Sequence, residues 1–253
     1  MAPDGVKSNI KRRVKMGKDI LIVHGDKGGV GKSTYAGLAI DYLIQKGDES
    51  VIVIEGDKKI DDVARRYQGM AGVTGMIVDL ARPDFSEEAI LGLFEEIERA
   101  GGKNVVINLP SGGSSTIDAQ AEIVIPTVRS LGYEVYVAWL IGADEDSVTL
   151  AGESAMCREA DRKIVVLNEK EGNPEKFPWC QSGFRKEWLE SGGLEGVLPC
   201  LTEQVAIKVR RLPGRYSNLE RSPELVIVER ASVSRWVRKA WEMAVAPLYE
   251  AGL

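Results

Sequence analysis

Aliphatic residues along this chain fall into short unbroken runs, and the stretches between them carry apolar residues at helical spacing. Ile20-Leu21-Ile22-Val23 is the first run, Val51-Ile52-Val53-Ile54 the second and Val105-Val106-Ile107 the third, and residues 133–140 and 163–168 hold two more. A run without polar alternation is what a strand buried on both faces requires. Tyr35, Leu38, Ala39, Tyr42 and Leu43 share one face of a helix predicted over 32–46, which Gly47 ends. Further helices are predicted at about 86–100, 115–130 and 144–160, with a loop over 170–183. A last helix is expected at about 232–250, where Val233, Trp236, Val237, Ala240, Ala244 and Leu248 keep the helical period. Strand and helix alternate, so the expected class is α/β, a mostly parallel sheet with helices on both faces.

Composition narrows the picture. A chain of 253 residues, 44% hydrophobic, suits one large domain with its own core. No apolar stretch reaches the ~20 residues that span a bilayer, and the N-terminus lacks the pattern of a signal peptide. Cys157, Cys180 and Cys200 are widely spaced and odd in number, which argues against a disulfide or zinc framework. These features predict a cytoplasmic protein with reduced thiols. The formal charge of −5 excludes a wholesale basic nucleic-acid binder but leaves room for a local patch. Residues 1–18 are a basic tail carrying Lys7, Lys11, Arg12, Arg13, Lys15 and Lys18, readable as a solvated arm or as one that touches nucleic-acid phosphates. Residues 19–253 are expected to form a single domain.

The chemistry concentrates after the first strand. Gly28-Gly29-Val30-Gly31-Lys32-Ser33-Thr34 lies between a predicted strand and a predicted helix, the context a phosphate loop needs. Glycines let backbone N–H groups approach phosphate oxygens, and the helix N-terminus adds partial positive charge. Lys32 is placed to reach the β- and γ-phosphates of ATP, and the Ser33 hydroxyl to ligate Mg2+. Asp26 stands where the common form of this loop begins with glycine, and Lys27 is an additional lysine. With these two residues the loop resembles that of the deviant Walker A ATPases, the ParA and MinD family, whose hallmark is K-G-G-x-G-K-[ST]. The resemblance spans about residues 19–250 and implies a three-layer P-loop NTPase-like fold. It also implies an ATP-sandwich homodimer in which Lys27 reaches the partner's phosphates.

Two further segments fit the family's switches. Ile54-Glu55-Gly56-Asp57-Lys58 stands where the family has D-x-D-P; Asp57 matches the acid that positions the attacking water, and Glu55 replaces the first. Ile107-Asn108-Leu109-Pro110-Ser111-Gly112-Gly113 resembles the Walker B strand and second switch, but Asn108 replaces the aspartate. An amide offers a magnesium-bound water a dipole instead of a full charge, which predicts weakened metal binding or hydrolysis. Ser33, Asp57 and Asn108 are the candidate metal residues. Asn168, at the end of the 163–168 run, resembles the residue that reads the adenine edge, and Pro199 the turn that lines the base. The alternative for Asn168 is a strand-end turn, which asparagine favours.

Lys208, Arg210, Arg211, Arg215 and Arg221 make a basic stretch, read either as a nonspecific DNA-binding surface or as a solvated helix face. The C-terminal helix, with Trp236 and Trp241, suits packing on the sheet better than lying on a membrane. His24 is given no catalytic role. Within the family the chain looks most like plasmid-borne members, such as the conjugal transfer protein TraL and plasmid-stability ATPases of the Stb type. That resemblance implies an ATP hydrolase acting in plasmid segregation, stability or transfer with a plasmid-encoded partner protein. A non-hydrolysing nucleotide-gated scaffold and a membrane-recruited positioning protein are the alternatives.

Overall fold

The aliphatic runs are strands, and period-two alternation along each divides its side chains between two cores. In a computed structural model that describes residues 18–25, 27–58, 61–80, 86–112 and 114–250, β1 (Asp19–His24) sends Leu21 and Val23 to one core and Ile20 and Ile22 to the other. β2 (Val51–Glu55) does the same with Val51 and Val53 against Ile52 and Ile54. β3 (Val73–Ile77), β4 (Asn104–Asn108), β5 (Glu134–Ile141), β6 (Arg162–Asn168) and β7 (Leu194–Leu198) complete a seven-stranded sheet of order β3-β2-β4-β1-β5-β6-β7. Every ladder is parallel, so the sheet needs helices on both faces to cover it.

One face is covered by α1 (Lys32–Lys46) and α2 (Asp62–Arg66). The other carries α3 (Ser86–Ala100), α4 (Ser114–Ala119), α5 (Ala121–Ser130), α6 (Asp146–Glu153), α7 (Ala155–Glu159), α8 (Pro178–Gln181) and α9 (Gly183–Glu190). The chain then returns to the first face with α10 (Glu203–Arg211), α11 (Ile227–Ala240) and α12 (Ala246–Glu250). Among the described residues no helix is long and apolar enough to cross a membrane.

The structure corrects several boundaries. The helix expected over 115–130 is two, α4 and α5, separated at Gln120. The one expected over 144–160 breaks at Ser154, whose hydroxyl accepts from the Cys157 N–H and so caps α7. The last helix starts at Ile227 instead of about 232 and passes through a π-turn at Trp241–Val245. Its apolar stripe packs into the sheet-side core, with Val233, Trp236, Ala240 and Leu248 buried. Segment 170–183 holds short turns and α8. β3 and β7 have no counterpart among the expected strands. β3 is an edge strand exposing several side chains, and β7 carries Gly196 in its centre. That glycine is required by packing, since a Cβ there would lie 2.6 Å from the Met243 carbonyl oxygen. The basic tail, apart from Lys18, lies outside the described residues, as do Asp26 and Gly113.

Candidate nucleotide site

The C-terminal ends of β1, β2, β4, β6 and β7 bring the loops together around one cleft of about 360 Å³. This is where an open parallel α/β sheet binds ligands. The loop after β1 forms the floor. Gly31 has φ +107°, and a Cβ at this position would lie 2.6 Å from Asn168 Nδ2, so no side chain fits. Gly31 is also the N-cap of α1 and, having no side chain, makes no cap hydrogen bond to the helix's first N–H groups. A 15-residue helix therefore presents its N–H groups and its positive dipole end to the cleft. Lys32 is buried, with its ammonium donating to the carbonyls of Gly25 (2.7 Å) and Lys27 (3.0 Å). Ser33 and Thr34 line the cleft beside it.

Asn168 stabilises the loop from β6. Its Nδ2 donates to the Val30 carbonyl at 2.7 Å, and its Oδ1 accepts from the Lys170 N–H at 3.0 Å. Both polar ends of the residue expected to read adenine are thus engaged by the protein itself. Pro199 lines the cleft, and its carbonyl accepts a 2.6 Å hydrogen bond from Trp236 Nε1. Leu198, Leu201, Val209 and Tyr216 add an apolar wall beside it.

The two switch strands meet in register. Glu55 on β2 pairs with Asn108 on β4. Asn108 Nδ2 donates to Glu55 Oε2 at 2.8 Å and lies 3.3 Å from Ser33 Oγ. Glu55 Oε1 accepts from the N–H groups of Val63 (2.6 Å) and Ala64 (3.0 Å), so the same carboxylate caps α2. Burial raises the Glu55 pKa, partly opposed by these donors. Asp57 lies in the cleft wall three residues past Ile54, at the mouth of β2.

Lys27 extends over the rim, more than half exposed, and pairs with Asp144 Oδ2 at 3.2 Å. The ammonium holds the Asp144 carboxyl below its usual range despite an opposing burial contribution. His24 is fully buried, stacked on Trp139 with ring centroids 4.3 Å apart, and its Nδ1 accepts from the Gly25 N–H. Its Nε2 faces Asp118 Oδ2 at 3.4 Å. Burial pushes the Asp118 pKa up, but His24, the Ser154 hydroxyl and the Met156 N–H outweigh that and bring it down.

The cations of the expected DNA surface differ in their surroundings. Arg210 lines the nucleotide cleft. Lys208 pairs with Glu229 at 2.7 Å, and Arg215 donates to the Asp41 carbonyl and faces its carboxylate at 3.5 Å. Arg211 is exposed on α10, and Arg221 lies 3.8 Å from Glu220. One cleft residue was not legible from local sequence, Tyr216, which arrives from a turn far along the chain and is backed by Arg66 on α2. The Arg66 guanidinium lies 3.6 Å over the Tyr216 ring and donates to the Val209 carbonyl, joining α2 to α10.

The cleft fits a magnesium nucleotide. Its floor offers uncapped helix N–H groups and a buried lysine, and the cleft-lining Asn108 keeps a buried Oδ1 with no hydrogen-bond partner.

Comparison with known proteins locates this arrangement among known folds. No protein-family model matches the chain. A curated relative, Protein MobD of Acidithiobacillus ferrooxidans, is 28% identical over 236 residues, covering 93% of this chain and all of the relative. The crystal structure of the cell division protein FtsY of Thermotoga maritima superposes with a TM-score of 0.51 at 14% identity, covering 74% of this chain. This chain spans 63% of the FtsY chain, less than two thirds of its length. The MinD cell division protein of Aquifex aeolicus aligns over 89% of this chain and 98% of its own at 15% identity, with a TM-score of 0.46. The seven-stranded parallel sheet, the glycine-rich loop at its C-terminal edge and the FtsY likeness together give the fold of the P-loop NTPases.

Proposed function

We propose that this protein is an ATP-binding switch of the ParA/MinD kind that hydrolyses ATP slowly and works as an ATP-bound homodimer. The observation that carries this reading is the convergence, in one cleft, of the uncapped α1 N-terminus, Lys32, Ser33, Asp57 and Asn108. The phosphates would lie along Gly28–Thr34, with Lys32 leaving its two carbonyl partners for the β- and γ-oxygens. Ser33, Asp57 and Asn108 are the residues that would hold a magnesium ion, which would supply positive charge against the phosphates. Asp57 would orient the attacking water. The base would rest against Pro199, Leu201 and Val209, with Asn168 at its edge, since the Asn168 amide keeps a second N–H and a second lone pair beyond its bonds to the loop. Lys27 would exchange Asp144 for a phosphate of the partner subunit on dimerisation.

The setting we propose is plasmid segregation, stability or conjugative transfer in the cytoplasm, with a plasmid-encoded partner protein and nonspecific DNA as candidate contacts. The support is the sequence resemblance to plasmid-borne members of the family, together with the additional lysine Lys27. Residues 19–253 would act as one domain and 1–18 as a basic arm. A second reading, a nucleotide-gated module that does not hydrolyse, is favoured by one observation, the amide of Asn108 in place of a carboxylate.

The test is ATP binding and turnover with Mg2+, with and without duplex DNA, using Lys32→Ala as the control. Turnover abolished by Lys32→Ala, together with a ~10-fold or greater loss of affinity, supports the enzyme reading. Binding without turnover selects the non-hydrolysing module, and unchanged binding in Lys32→Ala sinks the site assignment.

A further inference from the structure

The carboxylate missing from the end of β4 has a counterpart one strand away. Glu55 and Asn108 are register partners in adjacent parallel strands, and their side chains meet at 2.8 Å. A carboxylate only accepts hydrogen bonds, whereas an amide donates from one end and accepts at the other. Glu55 therefore decides which end of Asn108 turns toward it. The Nδ2 end faces Glu55 and Ser33 Oγ. The Oδ1 end is buried, lacks a hydrogen-bond partner and belongs to a cleft-lining residue. An unpaired buried acceptor is costly unless an incoming donor satisfies it, and a magnesium-bound water is such a donor.

We propose that Glu55 is a positioning residue that locks the Asn108 amide with Nδ2 toward Glu55 and Ser33 and with Oδ1 as the acceptor left unpaired, so that the two residues together perform the task of a single Walker B carboxylate. This inference rests on the nucleotide-site reading above. The pair carries one negative charge, transposed from β4 to β2. Glu55 remains fixed because the Val63 and Ala64 N–H groups hold its other oxygen. The same carboxylate thereby joins the metal side of the cleft to α2, which Arg66 connects to α10.

The arrangement makes a counterintuitive expectation. Asn108→Asp supplies the family's usual aspartate, yet it sets a second carboxylate against Glu55 in a buried site. Like charges at this distance repel strongly where water is excluded. Asn108→Asp alone should lower the melting temperature and give no gain in magnesium-dependent binding. Glu55→Gln alone offers Asn108 a donor, frees the amide to turn over and should reduce magnesium's enhancement of ATP affinity by ~10-fold. The double variant Glu55→Gln, Asn108→Asp restores one charge to the pair and should recover much of both properties.

Four full-length proteins decide this: the wild type, each single variant and the double. Melting temperature is measured without ligand, and ATP affinity with Mg2+ and with EDTA. A double variant better than the sum of its singles in both measurements supports the proposal. Additive effects, or a gain in stability and magnesium dependence from Asn108→Asp alone, overturn it. If all four fail to bind ATP, the nucleotide-site reading fails. The melting temperatures still show whether the pair is coupled, and additive values there overturn the orientation claim independently.

Discussion

The two ends of the sheet each bury a carboxyl group, and burial raises the pKa of both, but the hydrogen bonds each receives differ. At the C-terminal end, Glu55 is fully buried and takes hydrogen bonds from Asn108, Val63 and Ala64. At the N-terminal end, Asp19 is equally enclosed, but its Oδ1 has no hydrogen-bond partner, and its pKa is pushed up to about 6, first by burial and then by the charge of Glu134. The neighbouring donor Asn104 Nδ2 is engaged with Asp48 instead. Chain direction accounts for much of the contrast. In a parallel α/β sheet the helices begin at the C-terminal edge and present N–H groups there, and they finish at the opposite edge, presenting carbonyls. Anionic groups find more N–H donors at one edge than at the other, so the burial cost of Glu55 is partly offset at the edge that can hold phosphate.

Removing the charge from Asp19 is the strongest way to sharpen this comparison. The folded-state pKa lies above the unfolded value, so its favourable contribution is complete only at low pH and is lost as pH rises through about 6. Asp19→Asn imitates the neutral form. It should stabilise the protein at pH 7.5 by about 2–3 kcal/mol, read as a higher melting temperature. The gain should shrink below about pH 6 and vanish toward about pH 4. An advantage of constant size across that range would show that charge is not the cause.

A smaller effect is expected at the opposite edge from Asn168→Ala. This change removes the bond to the Val30 carbonyl and the cap on Lys170. Stability should fall by about 1–2 kcal/mol in urea titration, and ATP affinity should fall with it as the phosphate loop loosens. Affinity unchanged at equal loop occupancy would mean that Asn168 is only a turn residue. The smallest effect belongs to Lys27→Ala. The Lys27–Asp144 pair is exposed, so its loss should cost less than about 0.5 kcal/mol and should matter less still at high salt. A loss of 2 kcal/mol or more in thermal or chemical melts would contradict a rim pair that exchanges easily.

Much of the architecture was legible because its signals are local. The run Ile20–Val23 needed only its composition to read as a two-faced strand, and Lys32–Lys46 only its period and Gly47. β3 and β7 escaped because Gly75 and Gly196 interrupt the aliphatic pattern, and their justification lies in distant contacts. A Cβ at Gly75 would sit 3.0 Å from the Ala64 side chain, and one at Gly196 would meet the Met243 carbonyl. The same division holds in the site. The glycine-rich loop announced itself, whereas the arrival of Tyr216, and outside the cleft its contact with Arg66 and the pairing of Lys208 with Glu229, depend on which helices become neighbours.

By itself the sequence determined an alternating α/β fold and a phosphate-loop motif at Lys27–Thr34, because strand burial, helix period and glycine geometry are properties of short segments. Only the tertiary structure decided what the polar residues of that edge do. Asn168 and Glu55 have one identity in the chain but several available partners, and hydrogen-bond partners are chosen by the positions of backbone N–H and C=O groups far away in sequence. The register of β2 on β4 set Glu55 against Asn108, and that pairing, invisible in either segment alone, fixes the direction of the amide.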